Sequence, residues 1–246
     1  MDKIKLGSKT AKQGFLNENF VIKEFNSWQT SSLAKECLVK MGYKLNEIKK
    51  VVAEKIISNF KADLQVQITI EFKTLIEAQN ISVKLVSNTQ GFNQIDKRWI
   101  DKYKELWNFN SEVERILRLY TGEIMPYKTT KDTRRMFLNE MNLEEQNIIL
   151  QWFDNNKTLI LNDILKGRGK YTAEWFLVIV KIDNIIKWNI NTINEVINFY
   201  NGKVNITKQG NLKLGKITIQ RKGGDNGRKT AQMLQFKLNP CEIFNL

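Results

Sequence analysis

From Leu64 to Phe72 the chain alternates. Leu64, Val66, Ile68, Ile70 and Phe72 are apolar, and Gln65, Gln67, Thr69 and Glu71 lie between them. Side chains two apart on a strand share a face, so this stretch predicts a strand with one wetter face. Residues 81–87, "ISVKLVS", predict a buried strand, and residues 74–80, "TLIEAQN", read as the connection to it. Upstream the apolar spacing changes to three and four. Phe15, Leu16, Phe20, Val21 and Phe25 predict a helix within residues 11–28, and residues 31–41 and 45–60 predict two more. The chain from about 96 to 166 reads as helical, with cap-like starts at Ser111 and Asn142. Residues 176–182, "FLVIVKI", predict a second buried strand, and a helix follows Thr192. Residues 203–240 read as strands joined by turns, the sharpest turn signal being the basic, glycine-rich "RKGGDNGRK". Strands and helices so mixed predict an α/β (α+β) fold.

Composition adds a partner class and removes several chemistries. With 246 residues and 42% hydrophobic content, the chain is long enough for one sizeable core, and a single domain over residues 1–246 is expected. No stretch reaches the roughly 18 apolar residues of a membrane helix. The first residues lack the apolar core of a signal peptide, so a cytoplasmic chain is expected. Cys37 and Cys241 lie far apart and read as buried thiols. The net charge of +13 fits a nucleic-acid partner. The abundance of Lys, Asn and Ile fits equally well with an AT-rich coding sequence. The chain has no histidine, which excludes Ser-His-Asp triads, Cys-His dyads and His-bound zinc. Any hydrolysis must use carboxylates, lysine, a hard metal ion or a combination of them.

Lys84 is the anomaly: an ammonium group in the middle of a buried strand. Ser82, Lys84 and Val86 share one face of that strand, and Ile81, Val83 and Leu85 the other. Asp63 heads the preceding strand, and two neighbouring strands would bring it beside Lys84. A carboxylate near a lysine on a sheet surface suits metal-assisted phosphodiester hydrolysis. The carboxylate holds Mg²⁺, and the lysine orients the attacking water or stabilises charge developing on the phosphate. An ordinary ion pair or a snorkelling lysine fits the same spacing.

Asp63 followed by Ser82-Val83-Lys84 resembles the D…(E/Q)-x-K core of the PD-(D/E)XK nucleases. The chain is further similar to restriction endonucleases of the HinP type, which cut GCGC. That similarity rests on "LGSKTAK", "VKLVSN", "GFNQIDK", "RRMF", "EEQNI", "AEW", "QRKGGDNGR" and "MLQFK", in order from residue 6 to residue 237. The resemblance implies a restriction-endonuclease-like core with a central mixed β-sheet flanked by helices. It places a catalytic core at about residues 10–100 and a recognition region at about 200–240. It also implies a bacterial cytoplasmic enzyme, Mg²⁺-dependent and acting on double-stranded DNA as a monomer or homodimer, with cleavage between the first G and C. The pattern departs at two places: Ala62 stands where the signature has proline, and Ser82 where it has Glu or Gln. A hydroxyl is a weaker Mg²⁺ ligand than a carboxylate. The backbone carbonyl of Val83, or Glu18 on the first helix, would then complete the ligand set beside Asp63. Glu18 reads equally as a solvated helix residue. A DNA-binding protein that keeps the fold without catalysis is the alternative that Ser82 leaves open.

DNA contacts are expected from four stretches, of which "KGRGKY" offers Lys166, Arg168 and Lys170 to phosphates. In "QRKGGDNGRK", Gln220, Arg221, Lys222, Asp225 and Arg228 carry the groups that read guanine and cytosine edges in the major groove, although a hairpin with solvated charges has the same composition. After the catalytic strand, Phe92 and Gln94 suit a wedge in a widened groove and Lys97 a phosphate contact, with Phe92 as a core residue the other reading. Arg134 and Arg135 suit phosphate contacts, or pairing with nearby acids such as Glu140.

Overall fold

The computed structural model describes residues 19–56, 65–182, 185–224 and 228–246. These fall into two compact units. The first is built from Met1–Gly91, Lys166–Val196 and Asn239–Leu246, the second from Phe92–Leu165 and Ile197–Leu238. Among the described residues no helix is long and apolar enough to cross a membrane.

The first unit carries a mixed five-stranded sheet in the order β1-β2-β3-β5-β6, with β1 Lys50–Lys55, β2 Gln65–Glu71, β3 Ile76–Val86, β5 Trp175–Ile182 and β6 Ile185–Thr192. All neighbours are antiparallel except β3 and β5, which run parallel. Helical residues 19–26 and helix α1, Ser32–Lys40, supply Val21, Phe25, Ala34, Cys37 and Leu38 to a core that includes Val66, Ile68, Ile70, Ile81 and Val83. Ser31 caps α1 by accepting from the Ala34 N–H. The alternation expected around residues 65–71 is present, since Val66, Ile68 and Ile70 are fully buried.

The elements expected along the chain differ at four places. Within the stretch expected as a helix at 45–60, the described residues 45–56 do not form one: Leu45–Glu47 is a single 3-10 turn, and β1 follows. The spacing of Leu45, Ile48 and Val51 suits a helix, but Val51 and Ala53 bury on one side of a strand that closes the open edge of β2. The connection at 74–80 is also shorter than expected. β3 starts at Ile76, because ladder bonds such as those of the Glu71↔Ile76 pair use backbone groups and tolerate polar side chains. The segment 96–166 is not continuously helical, as it opens in strand β4 (Asn93–Arg98) and contains irregular chain after residue 121. β6 is a strand in addition to those expected.

The second unit carries an antiparallel sheet in the order β4-β10-β9-β8-β7, with β7 Val204–Ile206, β8 Leu212–Leu214, β9 Ile217–Arg221 and β10 Leu234–Leu238. Its helices are α2 Ile100–Trp107, α3 Ser111–Thr121 and α4 Leu143–Leu161. A helix α5, Ile193–Tyr200, follows β6 at the position expected after Thr192. Tyr103 stacks on Trp107, and both rings meet Phe236 edge-on. α3 is capped by Asn110, one residue before the expected start, and α4 by Asn142 in a capping box with Glu145. A buried ion network ties β4 to the chain after α4: Arg98 reaches Asp96 and Asp163 at 2.7 Å each, Tyr103 donates to Asp96, and Trp107 donates to Asp163.

Candidate active site and arginine cavity

The middle of β3 places Ser82-Val83-Lys84 between two neighbours. Ser82 pairs with Gln65 on β2 and with Phe176 on β5, and Lys84 pairs with Val178. Val83 sends its side chain into the apolar core, so only its backbone faces the chemistry. Ser82 is fully buried and Lys84 is 5% exposed. Among the described residues the Ser82 hydroxyl has no hydrogen-bond partner. Burying a hydroxyl unsatisfied costs about 1–3 kcal/mol, a cost that a ligand accepting or sharing its oxygen would offset. Gln65, also buried, is the polar neighbour of Ser82 that sequence reading missed. Its position in the alternation marked only the wet face.

A second polar cluster fixes where β3 meets β5. The Asn80 N–H donates to the Glu174 carboxylate at 2.6 Å, and the Asn80 amide donates to the Thr172 carbonyl. The Gln67 amide in turn donates to Asn80 at 3.0 Å. These bonds pin the parallel pair directly ahead of Ser82 and leave few alternative registers. Asp63 and Glu18 lie outside the described residues, as does Asp225. Among the described residues no three acidic or thiol side chains cluster as a metal site.

In the second unit, two distant stretches of sequence converge. Arg134 and Arg135 meet Arg221, Arg228 and Lys229 around a cavity of about 410 Å³, with Asp132, Gly122, Met125 and Gln232 completing much of its wall. Its geometry starts at the end of α3. Gly122 takes φ +81° as the helix C-cap, and any side chain there would run into the Arg134 carbonyl. The Met136 N–H then bonds back to Leu119, and the Gln232 amide donates to the Gly122 carbonyl at 2.6 Å. On the other side, the Gly223 and Lys222 N–H groups donate to Ala231 and Met233, holding the loop that leaves β9.

Asp132 stands among these cations. Arg134 grips it with Nε at 2.9 Å and Nη2 at 3.1 Å; Arg135 Nε lies at 3.6 Å and Arg221 Nη1 at 4.0 Å. The hydrogen bonds from Arg134 hold the Asp132 carboxyl below its ordinary range. Burial pushes the Arg221 guanidinium down, and Arg134 and Arg135 add to that by like-charge repulsion. Burial likewise lowers Arg135, whose Nε and Nη1 have no hydrogen-bond partner among the described residues and whose guanidinium lies 3.9 Å from the centre of the Phe137 ring. The Arg221 side chain is 10% exposed, whereas Arg134 is 73% exposed. Glu140, an expected partner of these arginines, instead accepts from the Lys131 and Phe137 N–H groups.

Most of the remaining expected contacts lie on or beside β4 and β9. Phe92 is 53% exposed just before β4, so it is not a core residue. Gln94 and Lys97 are half-buried on β4 and pair with Lys237 and Gln235 of β10. Gln220 lies opposite Gln235, whose amide donates to the Lys222 carbonyl. Neither Asp132 nor Gln235 carries a local signal that would have singled it out.

A family model described as R.HinP1I restriction endonuclease matches residues 41–244. The chain belongs to this restriction endonuclease family. The R.HinP1I-type match takes in Ser82-Val83-Lys84, both arginine stretches and strands of both units. Among solved structures the chain is similar to the restriction endonuclease MspI in complex with its cognate DNA. The TM-score is 0.66 at 11% identity, over 96% of this chain and 93% of that one. At that identity the likeness speaks for the fold, a restriction-endonuclease fold with a central mixed sheet flanked by helices. No curated protein sequence matches the chain.

Proposed function

We propose that this R.HinP1I-type endonuclease hydrolyses phosphodiester bonds of double-stranded DNA at GCGC, between the first G and C, with Mg²⁺ as cofactor. The observation that carries the catalytic reading is the buried lysine, Lys84, two positions from the unsatisfied hydroxyl of Ser82. β2 and β3 are in register at Gln65↔Ser82. Asp63 stands two residues before Gln65 in the sequence and Lys84 two after Ser82, a spacing that would suit a carboxylate opposite the ammonium if the pairing ran on. The orphan oxygen of Ser82 fits a hard, oxygen-seeking ion. Asp63, the Val83 carbonyl and Glu18 are the proposed companions of Ser82 in holding it. Once bound, a divalent ion supplies neutralisation of phosphate charge and a more acidic water. Lys84 orients the attacking water and stabilises the charge that builds on the phosphate oxygens.

DNA is the proposed partner on three supports: the net charge of +13, the cluster of arginines around one cavity, and the cognate DNA held by MspI. In this reading residues 1–246 work as one nuclease domain. The first unit cuts, and the second reads bases through Gln220, Arg221, Lys222 and Asp225, with Arg228 at the exposed rim as a phosphate contact. Phe92, Gln94, Lys97, Arg134 and Arg135 serve as further contacts.

Unmethylated plasmid incubated with the protein and Mg²⁺ tests the proposal. Discrete fragments with ends inside GCGC are expected, and none in EDTA. Asp63→Ala should abolish cutting while retaining a mobility shift in Ca²⁺. Intact plasmid with a shift would make the chain a DNA-binding protein without catalysis. A smear would make it a nuclease without a site.

A further inference from the structure

We infer that Asp132 is a specificity-determining positioning residue: its carboxylate holds Arg134 and Arg221 in place and weakens phosphate binding in the arginine cavity, so that the cavity favours a base edge. The inference rests on the DNA-cutting reading and names how that site discriminates.

Five cationic side chains line the cavity, and alone they would form an anion trap. A phosphate has no sequence information to offer, and a pocket that welcomed it would bind any duplex. Asp132 stands among three of those cations. The Asp132 carboxylate offsets one of the five positive charges and occupies two Arg134 N–H donors that a phosphate would otherwise take, so a phosphate gains less there. A guanine edge, with neutral O6 and N7 acceptors, relies less on net charge and can take the N–H groups of Arg221. The same carboxylate can accept from the N4 amino group of a cytosine, so Asp132 and Arg221, 4.0 Å apart, present one acceptor and one donor set to a G·C pair. Weakening the wrong ligand is a recognised route to specificity.

Asp132 is also placed by bonds that its side chain does not make. Its carbonyl accepts from the Thr130 hydroxyl at 2.8 Å and from the Arg135 N–H at 3.1 Å. The turn therefore retains these bonds when the carboxylate is neutralised. Arg221 has a second tether, from Nε to the Ala231 carbonyl at 3.0 Å. Removing the charge of Asp132 thus alters what the cavity favours more than where its walls stand.

The test uses full-length protein and its Asp132→Asn and Asp132→Glu variants. Affinity is measured for a GCGC duplex and for a duplex of equal composition without the site, over a salt series in Ca²⁺. For Asp132→Asn the off-site duplex should bind several-fold tighter, with a salt slope steeper by about one unit. Preference for GCGC should fall by roughly tenfold or more. Asp132→Glu, which keeps the charge, should restore most of that preference. An unchanged off-site affinity and slope in Asp132→Asn overturns the inference. So does parallel weakening on both duplexes with a lower melting temperature in both variants, the signature of a merely structural residue. If the parent shows no preference for GCGC, the proposed site is wrong, and the off-site slope of Asp132→Asn still decides the inference. A parent that binds neither duplex overturns both.

Discussion

Among the described residues Ser82 is a buried hydroxyl without a partner beside a buried lysine, and that pairing makes it a sensitive position. If the hydroxyl faces the metal, Ser82→Gln should keep activity and shift the Mg²⁺ concentration that gives half-maximal rate, because an amide oxygen reaches further and binds a hard ion differently. Overlapping metal-dependence curves for variant and parent would remove Ser82 from the ligand set. The two arginines that flank the glycine-rich loop should behave differently from each other. Arg221 is largely buried in the cavity wall, while Arg228 is exposed at the start of a 3-10 turn. Arg221→Ala should cost about 1–3 kcal/mol of specific binding and little off-site. Arg228→Ala and Lys97→Ala should weaken both duplexes alike and flatten the salt slope by about one unit each. Equal losses on both duplexes for Arg221→Ala would move base reading away from this wall, first to Phe92 and Gln94.

Helix α4 depends on its first turn. Asn142 accepts from the Glu145 N–H at 2.8 Å, and Glu145 accepts from the Asn142 N–H, from Arg115 at 2.7 Å and from the Tyr127 hydroxyl at 2.6 Å. Burial alone would raise the Glu145 carboxyl, but Tyr127, Arg115 and the Asn142 N–H together hold it below its ordinary value. A carboxyl lowered by folding contributes stability that is present above its unfolded pKa, about 4.3. That contribution fades as pH falls through the folded value. Glu145→Gln should therefore lower the melting temperature at pH 7 and narrow the gap to the parent as the solution is taken below pH 4. A gap that stays constant from neutral to acid pH would show that the charge of Glu145 does not stabilise the helix start.

Charge governs the behaviour of the chain as a whole. A net charge of +13 on 246 residues should make off-site DNA binding strongly salt-dependent. If some 6–10 phosphates are neutralised, affinity should fall by about 10³–10⁵ between 50 and 200 mM salt. Binding that barely changes over this range would show that the lysine excess belongs to composition and does not form a DNA footprint. Discrimination between GCGC and other duplexes should survive the added salt better than affinity does, because base contacts release few counterions.

The parts of the chain legible from residues alone are those where neighbours along the backbone decide. The alternation of Val66, Ile68 and Ile70, the apolar run at 176–182 and the start of the helix at Asn142 each follow from local preference. The resemblance carried by "VKLVSN" and "QRKGGDNGR" likewise lay in contiguous residues, and the R.HinP1I family match bears it out. Other features had no local cause. Residues 45–56 satisfied both a helical and an extended spacing until the exposed backbone of β2 selected a strand. The polar start of β3 was hidden because backbone ladders leave no mark in side chains. Asp132 lies far from Arg221 in the chain and reads as one acid among many; only the packing of the turn after α3 against the loop after β9 sets it among the arginines. Local sequence determines dihedral preference and burial period. Which charges end up 4 Å apart depends on how distant segments pack, and it took the tertiary structure to supply that.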